Sequence, residues 1–189
     1  MSDLEGRLEA ILRAPPTVME ALTLARDLDL PDWLLFSGAV YQPVWNALTG
    51  RPPDHGIKDY DLGYFDDRDL SWEAEDEVIR RVALASPPAL AGMVEVRNQA
   101  RVHLWFEDHF GDPYSPLRRS AEALERFASP AFAVGARLEA EGEITILAPF
   151  GLEEVFAMRI GPNPTRPAPA LAKIVAALRA RWPEITMEE

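Results

Sequence analysis

The sequence contains no cysteine among its 189 residues. This absence excludes a disulfide framework, a thiolate nucleophile and a zinc site of the cysteine type. It also fits a reducing compartment, and we expect the cytoplasm. No stretch reaches the roughly 18 apolar residues of a membrane span, and residues 1–20 lack the basic and apolar regions of a signal peptide, so we expect neither feature.

Basic residues are scarce as well, and only two of them are lysines. The 19 Lys and Arg residues stand against 31 Asp and Glu residues, which gives a formal net charge of −12. A surface this acidic repels phosphate backbones, so nucleic acid is disfavoured as a partner. A small nucleotide is still compatible with this charge, because a bound divalent cation masks local repulsion.

The rest of the composition is that of a folded protein. Hydrophobic residues make up 48% of the chain, enough for a core and too many for a disordered segment. The length suits a single domain. Within it we expect N-terminal helices in residues 1–30, a core in 31–160, and a Pro-rich linker with a final helix in 161–189. The sequence leaves the oligomeric state open.

Helix and strand signals alternate along the chain. Ser2 with Glu5, and Thr17 with Glu20, each form the capping pattern that opens a helix. Further helices are predicted at 40–48, 71–84, from Ser115–Pro116 onward, and at 151–158 and 170–182; strands are predicted at 33–36, 58–65, 93–104, 132–140 and 143–147. This mixture predicts an α+β or α/β domain around a central sheet.

Two carboxylates lie one residue apart in the strand predicted over 58–65. Because side chains alternate along a strand, Asp59 and Asp61 face the same side, roughly 6.6 Å apart. Carboxylate oxygens are preferred ligands of Mg²⁺, and such a pair can bridge two ions in a phosphoryl-transfer site. Taken alone, the pattern is more often two surface charges on an exposed sheet face.

The strand predicted over 93–104 carries a dense polar row on one face, formed by Glu95, Arg97, Gln99, Arg101 and His103. If this strand neighbours the first, Glu95 adds a third carboxylate beside Asp59 and Asp61. Arg97 and Arg101 would then bind phosphate oxygens through their guanidinium groups. The alternative is a solvated strand face with cross-strand ion pairs.

A glycine turn, Ser37-Gly38-Ala39, joins the predicted strand 33–36 to the helix 40–48. Glycine at this place lets the backbone approach a ligand closely. The free N–H groups at the start of the helix would attract an anion.

The order of strand, glycine turn, helix and Asp-x-Asp strand resembles the nucleotidyltransferases of the DNA polymerase beta superfamily. Within it, the chain is similar to a bacterial nucleotidyltransferase-like family of unassigned substrate, over about residues 25–182. The similarity rests on SGAVYQPVWNALTG (37–50), IKDYDLGYFDDRDLSWEAED (57–76), VRNQARVHLWF (96–106) and VGARLEAEGEITILAPFGLEEVFAMRIGPNPT (134–165).

The resemblance implies a mixed sheet flanked by helices and a magnesium-dependent site, with two ions expected. The activity it implies is transfer of a nucleotidyl group from a nucleoside triphosphate to an acceptor that the sequence does not identify. Asp59 and Asp61 would hold the metal and, with Glu95, form the catalytic set. The predicted nucleotide-binding residues are Gly38, Ala39, Gln42, Lys58, Arg97, Gln99, Arg101 and His103. Asn98 lies in the same second motif.

The sequence departs from the family pattern at the glycine turn. Ala39 replaces a serine, which removes a hydroxyl contact to phosphate, and Tyr41 replaces an arginine that would hold a phosphate. Glu95 is not a fixed feature of the family motif. These departures leave two alternatives: a non-catalytic nucleotide-binding or regulatory module, and an interaction domain with a relic site.

Overall fold

The computed structural model describes residues 2–188, which begin with two helices, α1 (Asp3–Leu12) and α2 (Pro16–Leu28). The capping box predicted at α1 is confirmed, because the Ser2 hydroxyl accepts from the Glu5 amide at 3.2 Å and the Ser2 amide donates to the Glu5 carboxylate at 2.7 Å. The cap predicted at Thr17 is wrong. Helix α2 begins one residue earlier at Pro16, whose fixed φ angle suits the first helical turn.

A five-stranded sheet forms the centre of the fold. Its strands are β1 (Leu34–Phe36), β2 (Tyr60–Tyr64), β3 (Val94–Asn98), β4 (Gly135–Leu138) and β5 (Ile144–Leu147). They lie in the order β3-β2-β1-β4-β5, with β2 and β3 parallel and the other pairs antiparallel. The predicted mixed α/β architecture with a central sheet is confirmed.

Helices and short turns surround this sheet. The helices are α3 (Gly38–Thr49), α4 (Trp72–Ala85), α5 (Phe106–Phe110), α6 (Glu153–Phe156) and α7 (Leu171–Arg179). A second sheet pairs β6 (Arg159–Ile160) with β7 (Thr186–Met187) in parallel, which the sequence did not predict. Within residues 2–188, no helix has both the length and the apolar character that a membrane crossing requires.

The strand predicted over 93–104 is only five residues long. It ends at Asn98, whose side chain bonds to the backbone of Asp66 and accepts from the Ala100 amide at 3.1 Å. The chain therefore turns, and a 3₁₀ helix follows at Val102–Leu104. The alternation predicted for residues 99–103 does not continue the strand face.

The helix predicted from Ser115–Pro116 is also wrong. The first helical residues of this segment form a 3₁₀ helix at Ser120–Arg126. It begins there because the Ser120 amide donates to the carboxylate of Asp32 at 2.6 Å, a residue 88 positions earlier. A cap from so distant a residue leaves no local signal in the sequence.

The two faces of the sheet have different environments. Tyr60, Leu62, Tyr64 and Val96 belong to the main hydrophobic core. Alternate residues of the same strands point to the opposite face, where a smaller cluster of Leu34, Phe36, Leu117, Ala123 and Leu124 covers part of the sheet. The remainder of that face carries the polar side chains of the candidate site.

Candidate active site

Two carboxylates meet on neighbouring strands. Asp61 of β2 is the register partner of Glu95 of β3, and adjacent strands lie about 4.8 Å apart. Register partners in a parallel pair direct their side chains to the same face. The prediction that the two strands are neighbours is thus confirmed, and their pairing places Glu95 beside Asp61. Asp59 lies two residues before Asp61, just ahead of β2, and is exposed.

The pKa of Asp61 reflects both its burial and the acidic groups near it. Burial, together with the smaller effect of the negative charges of Asp59 and Glu95, raises the pKa of Asp61 to about 6, while the positive charge of Arg97 opposes the shift. Among residues 2–188, none of the three carboxylates makes an ion pair within 4.0 Å. Within the described residues, the group therefore holds negative charge that no cation at ion-pair distance neutralises, although Arg97 lies close enough to offset part of it.

This donor set fits a hard divalent cation that a ligand helps to bind. In the part of the chain that the structure describes, no three His, Asp or Glu side chains are gathered into a closed metal cage. Mg²⁺ does not require one, because it is usually bound by one or two carboxylates together with water and substrate phosphates. Asp59 and Asp61 would supply the protein ligands of such an ion.

The glycine turn lies at the end of β1, next to Asp61. Phe36 is the register partner of Asp61, and Ser37 and Gly38 follow directly. Ser37 has the uncommon backbone angles φ 50° and ψ −116°, and its amide donates to the carbonyl of Val134 at 2.9 Å. Gly38 is the first residue of α3, so its N–H group and that of Ala39 have no partner within the helix.

Gln42 lies over this turn. A Cβ atom at Gly38 would come within 3.0 Å of the Gln42 Nε2 atom, so a larger residue at position 38 would displace the amide. Gln42 is 7% exposed, and its Oε1 atom has no hydrogen-bond partner among the described residues. Ala39 is buried as well. The turn thus offers backbone N–H groups and an amide to a ligand, with no hydroxyl at position 39.

Tyr41, at the position where the resemblance predicts an arginine, belongs to the core. Its ring centroid is 4.4 Å from that of Trp45 and 5.3 Å from that of Phe132. Burial is the main cause that raises the pKa of Tyr41 to about 12, with smaller contributions from Asp61 and Asp59. The side chain at position 41 therefore contributes packing, not a cationic group.

Gly63 is required by the packing of this face. A Cβ atom at Gly63 would lie 2.0 Å from Cε2 of Phe36 and 3.1 Å from Nε2 of Gln99. The Phe36 ring can cover the strand here only because position 63 is glycine. A larger residue at position 63 would displace the ring. This role of Gly63 has no local signal in the sequence, because the Phe36 contact comes from a different strand.

A cleft of about 550 Å³ opens at Asp61 and Glu95 and continues past Gly63, Arg97 and Gln99. Its far end is walled by five aromatic side chains, which we call the aromatic pocket: Trp105, Phe106, Phe110, Tyr114 and Phe127. The sequence carries no signal for this wall. Its residues come from a short helix and from loops with no periodic pattern.

Arg101 and Asn98 lie in a buried network beneath the cleft. The buried Glu75 carboxylate accepts a hydrogen bond from the backbone N–H group of Asn98 at 2.8 Å and forms an ion pair with the Arg101 guanidinium. Arg101 also donates to the Leu70 carbonyl at 3.2 Å. The Arg101 guanidinium is thus engaged by Glu75. It does not line this cleft, but it lines a neighbouring pocket that shares Glu95 and Arg97 with it.

The other predicted binding residues lie at different distances from the cleft. Gln99 lines it, and its Nε2 donates to the Arg97 carbonyl at 3.3 Å. Arg97 also lines it, with one guanidinium nitrogen 2.8 Å from the Val96 carbonyl. Lys58 is exposed, directly before Asp59. His103 is partly buried in the 3₁₀ turn, and its Nδ1 has no partner among residues 2–188.

The fold and the position of the cleft define the class of protein. The structure is similar to that of a protein whose NMR structure reveals a CCA-adding enzyme head domain, with a TM-score of 0.74 and 23% sequence identity over 96% of this chain and 94% of that chain. The chain therefore has a nucleotidyltransferase fold.

The sequence gives the family. The family model described as a nucleotidyltransferase matches residues 23–187, so the chain belongs to this nucleotidyltransferase family. Its family and fold make it a transferase of nucleotidyl groups, which confirms the resemblance drawn from the motifs. No curated protein matches the sequence.

Proposed function

We propose that the chain is a magnesium-dependent enzyme that moves a nucleoside monophosphate from a nucleoside triphosphate to a small acceptor. The observation that carries this proposal is the unneutralised carboxylate group of Asp61, Asp59 and Glu95 at the mouth of the cleft, beside the Gly38 turn. The pKa of Asp61 is raised by burial first and by repulsion from Asp59 and Glu95 second, and a bound divalent cation would favour the charged form of this carboxylate. The lack of cysteine supports the cytoplasm, where nucleoside triphosphates are plentiful, as its compartment.

The proposed reaction follows from the arrangement of the residues. The acceptor oxygen forms a bond to the α-phosphorus, the bond from that phosphorus to the bridging oxygen breaks, and pyrophosphate leaves. Glu95, beside Asp61, would take the acceptor proton. Mg²⁺ held by Asp59 and Asp61 would neutralise the triphosphate and lower the pKa of the acceptor hydroxyl.

The remaining residues of the site have distinct proposed roles. Backbone N–H groups of Gly38 and Ala39, with the side chain of Gln42, would receive phosphate oxygens at the N-terminus of α3. Arg97 and Lys58 would stabilise the charge that develops on the transferring group. Gln99 would contact the ligand from the floor of the cleft. We propose a supporting role for Arg101, which positions the Asn98 turn through Glu75.

Calorimetric titration of ATP, GTP, CTP and UTP, each with and without Mg²⁺, tests the metal-triphosphate site. Wild type should bind at least one nucleotide only when Mg²⁺ is present, because the acidic side chains otherwise repel the triphosphate. Asp61→Asn should lose that binding. Asp67→Asn, an exposed carboxylate in the loop after β2, should retain it. Equal binding by wild type and Asp61→Asn would refute the assignment of Asp61 as a metal ligand.

A second candidate function is nucleotide binding without turnover. It is favoured by the absence of a hydroxyl at Ala39 and by the burial of Tyr41 against Trp45 and Phe132. This module would bind nucleotide with Mg²⁺ in the titration above yet release no pyrophosphate with any acceptor supplied. A pyrophosphate-release assay therefore separates the two candidates, since only the enzyme produces a signal that Asp61→Asn removes.

A further inference from the structure

The aromatic pocket lies on the opposite side of the carboxylates from the glycine turn. Along the paired strands, Phe36 stands beside Asp61 and Leu34 stands beside Gly63. Gly38 continues from the Phe36 end, whereas the cleft continues past Gly63 and Arg97. The carboxylates thus separate the proposed phosphate-binding turn from the aromatic pocket.

The order of glycine turn, carboxylates and aromatic pocket decides which reactant binds on each side of the carboxylates. In phosphoryl transfer, the attacking and leaving oxygens lie roughly in line on opposite sides of the phosphorus. If pyrophosphate leaves toward Gly38, the attacking oxygen must arrive from the side of Gly63 and Arg97. The aromatic pocket is the part of the cleft on that side.

We propose that the aromatic pocket binds the acceptor, and that the acceptor is a small aromatic compound with an anionic group and a hydroxyl. This inference rests on the proposed function, because it takes the carboxylates as the centre of nucleotidyl transfer. It adds the class of the acceptor and the residues that select it.

The walls of the pocket account for the aromatic part of the acceptor. The ring of Phe106 lies 4.7 Å from that of Phe110 and 4.6 Å from that of Tyr114, measured between centroids. The guanidinium of Arg166 lies 4.9 Å above Phe106, and its Nε donates to the Asp112 carboxylate at 3.0 Å. Rings held in this manner offer fixed faces and edges for a planar ligand.

Arg126 accounts for the anionic group. Among residues 2–188, Arg97 and Arg126 make no ion pair within 4.0 Å, although the chain has 12 more acidic than basic groups. Both line the cleft, and Arg126 lies 5.7 Å from the ring centre of Tyr114. Arg97 acts on Asp61 and is assigned above to the transferring group. Arg126, without an ion-pair partner among the described residues of so acidic a protein, is therefore the guanidinium available to an anion of the acceptor.

The acceptor hydroxyl completes the reaction without a further reactant. Its oxygen bonds to the α-phosphorus, pyrophosphate departs with the electrons of the broken P–O bond, and the hydroxyl proton passes to Glu95. The products are the nucleotidylated acceptor and pyrophosphate.

A matched pair of fluorescent probes tests the pocket. The anionic probe is 8-anilinonaphthalene-1-sulfonate, and the neutral one is N-phenyl-1-naphthylamine, which is the same aromatic system without the sulfonate. We expect wild type to bind the anionic probe about tenfold more tightly than the neutral one, the factor typical of a hydrogen bond between charged groups. Equal affinity for the two probes would overturn the anionic part of the proposal.

Three variants separate the contributions. Arg126→Gln should weaken the anionic probe about tenfold and leave the neutral probe within about twofold. Phe106→Leu should weaken the binding of both probes, because leucine keeps a hydrophobic side chain but lacks the aromatic face. Arg80→Gln, an exposed residue of α4 that pairs with Asp76 outside the cleft, should change neither. Unchanged binding in both Arg126→Gln and Phe106→Leu would show that the probes bind elsewhere and overturn the proposal.

Competition with nucleotide distinguishes an acceptor pocket from a nucleobase pocket. Mg²⁺ with ATP, at a concentration that saturates the protein by calorimetry, should leave the probe bound. Displacement of the probe would assign the aromatic pocket to the base of the donor and overturn the proposal. If calorimetry detects no nucleotide binding, the proposed function fails, while the comparison of Arg126→Gln with Arg80→Gln still reports on the pocket itself.

Discussion

Asp61 holds its charge at an energetic cost, because its carboxyl group is partly buried and lies near the charges of Asp59 and Glu95. Its pKa lies at about 6, above the ordinary 3.8. The folded state therefore binds the proton of Asp61 more tightly than the unfolded state does. The stabilisation from this protonation is present below pH 3.8 and is lost as pH rises through about 6.

The prediction at this residue concerns pH and metal. Asp61→Asn should be more stable than wild type by about 2–3 kcal/mol above pH 7 in a chelating buffer, because the shift of about two pKa units no longer penalises folding. The difference should shrink as pH falls from 6 toward 4. Urea unfolding across this range measures it.

Two controls accompany this measurement. Mg²⁺ should raise the stability of wild type at pH 8 and have less effect on Asp61→Asn, since the variant lacks a proposed ligand. Asp67→Asn should show neither effect. A variant that is no more stable than wild type at pH 8 would contradict the electrostatic account of the site.

At the level of single elements, the end of β3 is decided by a side chain and not by the hydrophobic pattern. The Asn98 amide side chain accepts from the Asp66 and Ala100 backbone N–H groups and donates to the Asp66 carbonyl at 2.8 Å. Glu75 receives the Asn98 backbone N–H and pairs with Arg101. These bonds join β3 to the loop after β2 and to α4.

We predict that Asn98→Ala destabilises the protein by about 2–4 kcal/mol. The variant removes the partner of the buried Ala100 N–H group and of two partly buried groups of Asp66, and a buried group left without a partner costs about 1–3 kcal/mol. The free energy of unfolding in urea measures the effect. Arg97→Gln, on the adjacent exposed position of the same strand, should stay within about 0.5 kcal/mol of wild type. A similar loss in the two variants would contradict the assignment of the network.

The same elements show what the sequence could and could not predict. The alternation in residues 58–65 and 94–98 is local, and it placed Asp61 and Glu95 on one face once the strands were neighbours. The alternation beyond Asn98 failed because the turn depends on a loop 32 residues earlier. The 3₁₀ helix at Ser120 was missed for a similar reason, since Asp32 caps it.

The aromatic pocket was beyond prediction for a different reason. Trp105, Phe106 and Tyr114 have no helical or strand period that marks them as one surface. They come together because the chain after β3 folds back over the sheet face that carries Phe36 and Gly63. Only the tertiary structure brings these rings to the carboxylates.

At the scale of the whole molecule, the C-terminal segment is joined to the central fold through Trp182. Its ring lies 5.4 Å from that of Trp45 between centroids, and its Nε1 donates to the Asn46 side chain at 2.9 Å. A Cβ atom at Gly56 would clash with the same ring at 2.6 Å. Residues of α3, of the loop before β2 and of the C-terminus thus share one buried site.

This arrangement predicts that the chain unfolds as a single unit, in which the segment 161–188 does not melt on its own. Trp182→Ala should lower the stability of the whole protein by about 3–5 kcal/mol, the usual cost of removing a large buried aromatic side chain. Trp182→Phe should cost less, because it keeps a ring against Trp45 and loses only the bond to Asn46.

Thermal unfolding followed by both far-ultraviolet circular dichroism and tryptophan fluorescence measures this loss of stability. Coincident transitions in wild type, shifted together in Trp182→Ala, are the expected result. Two separate transitions in wild type would instead show that the C-terminal segment folds independently of the sheet and its site.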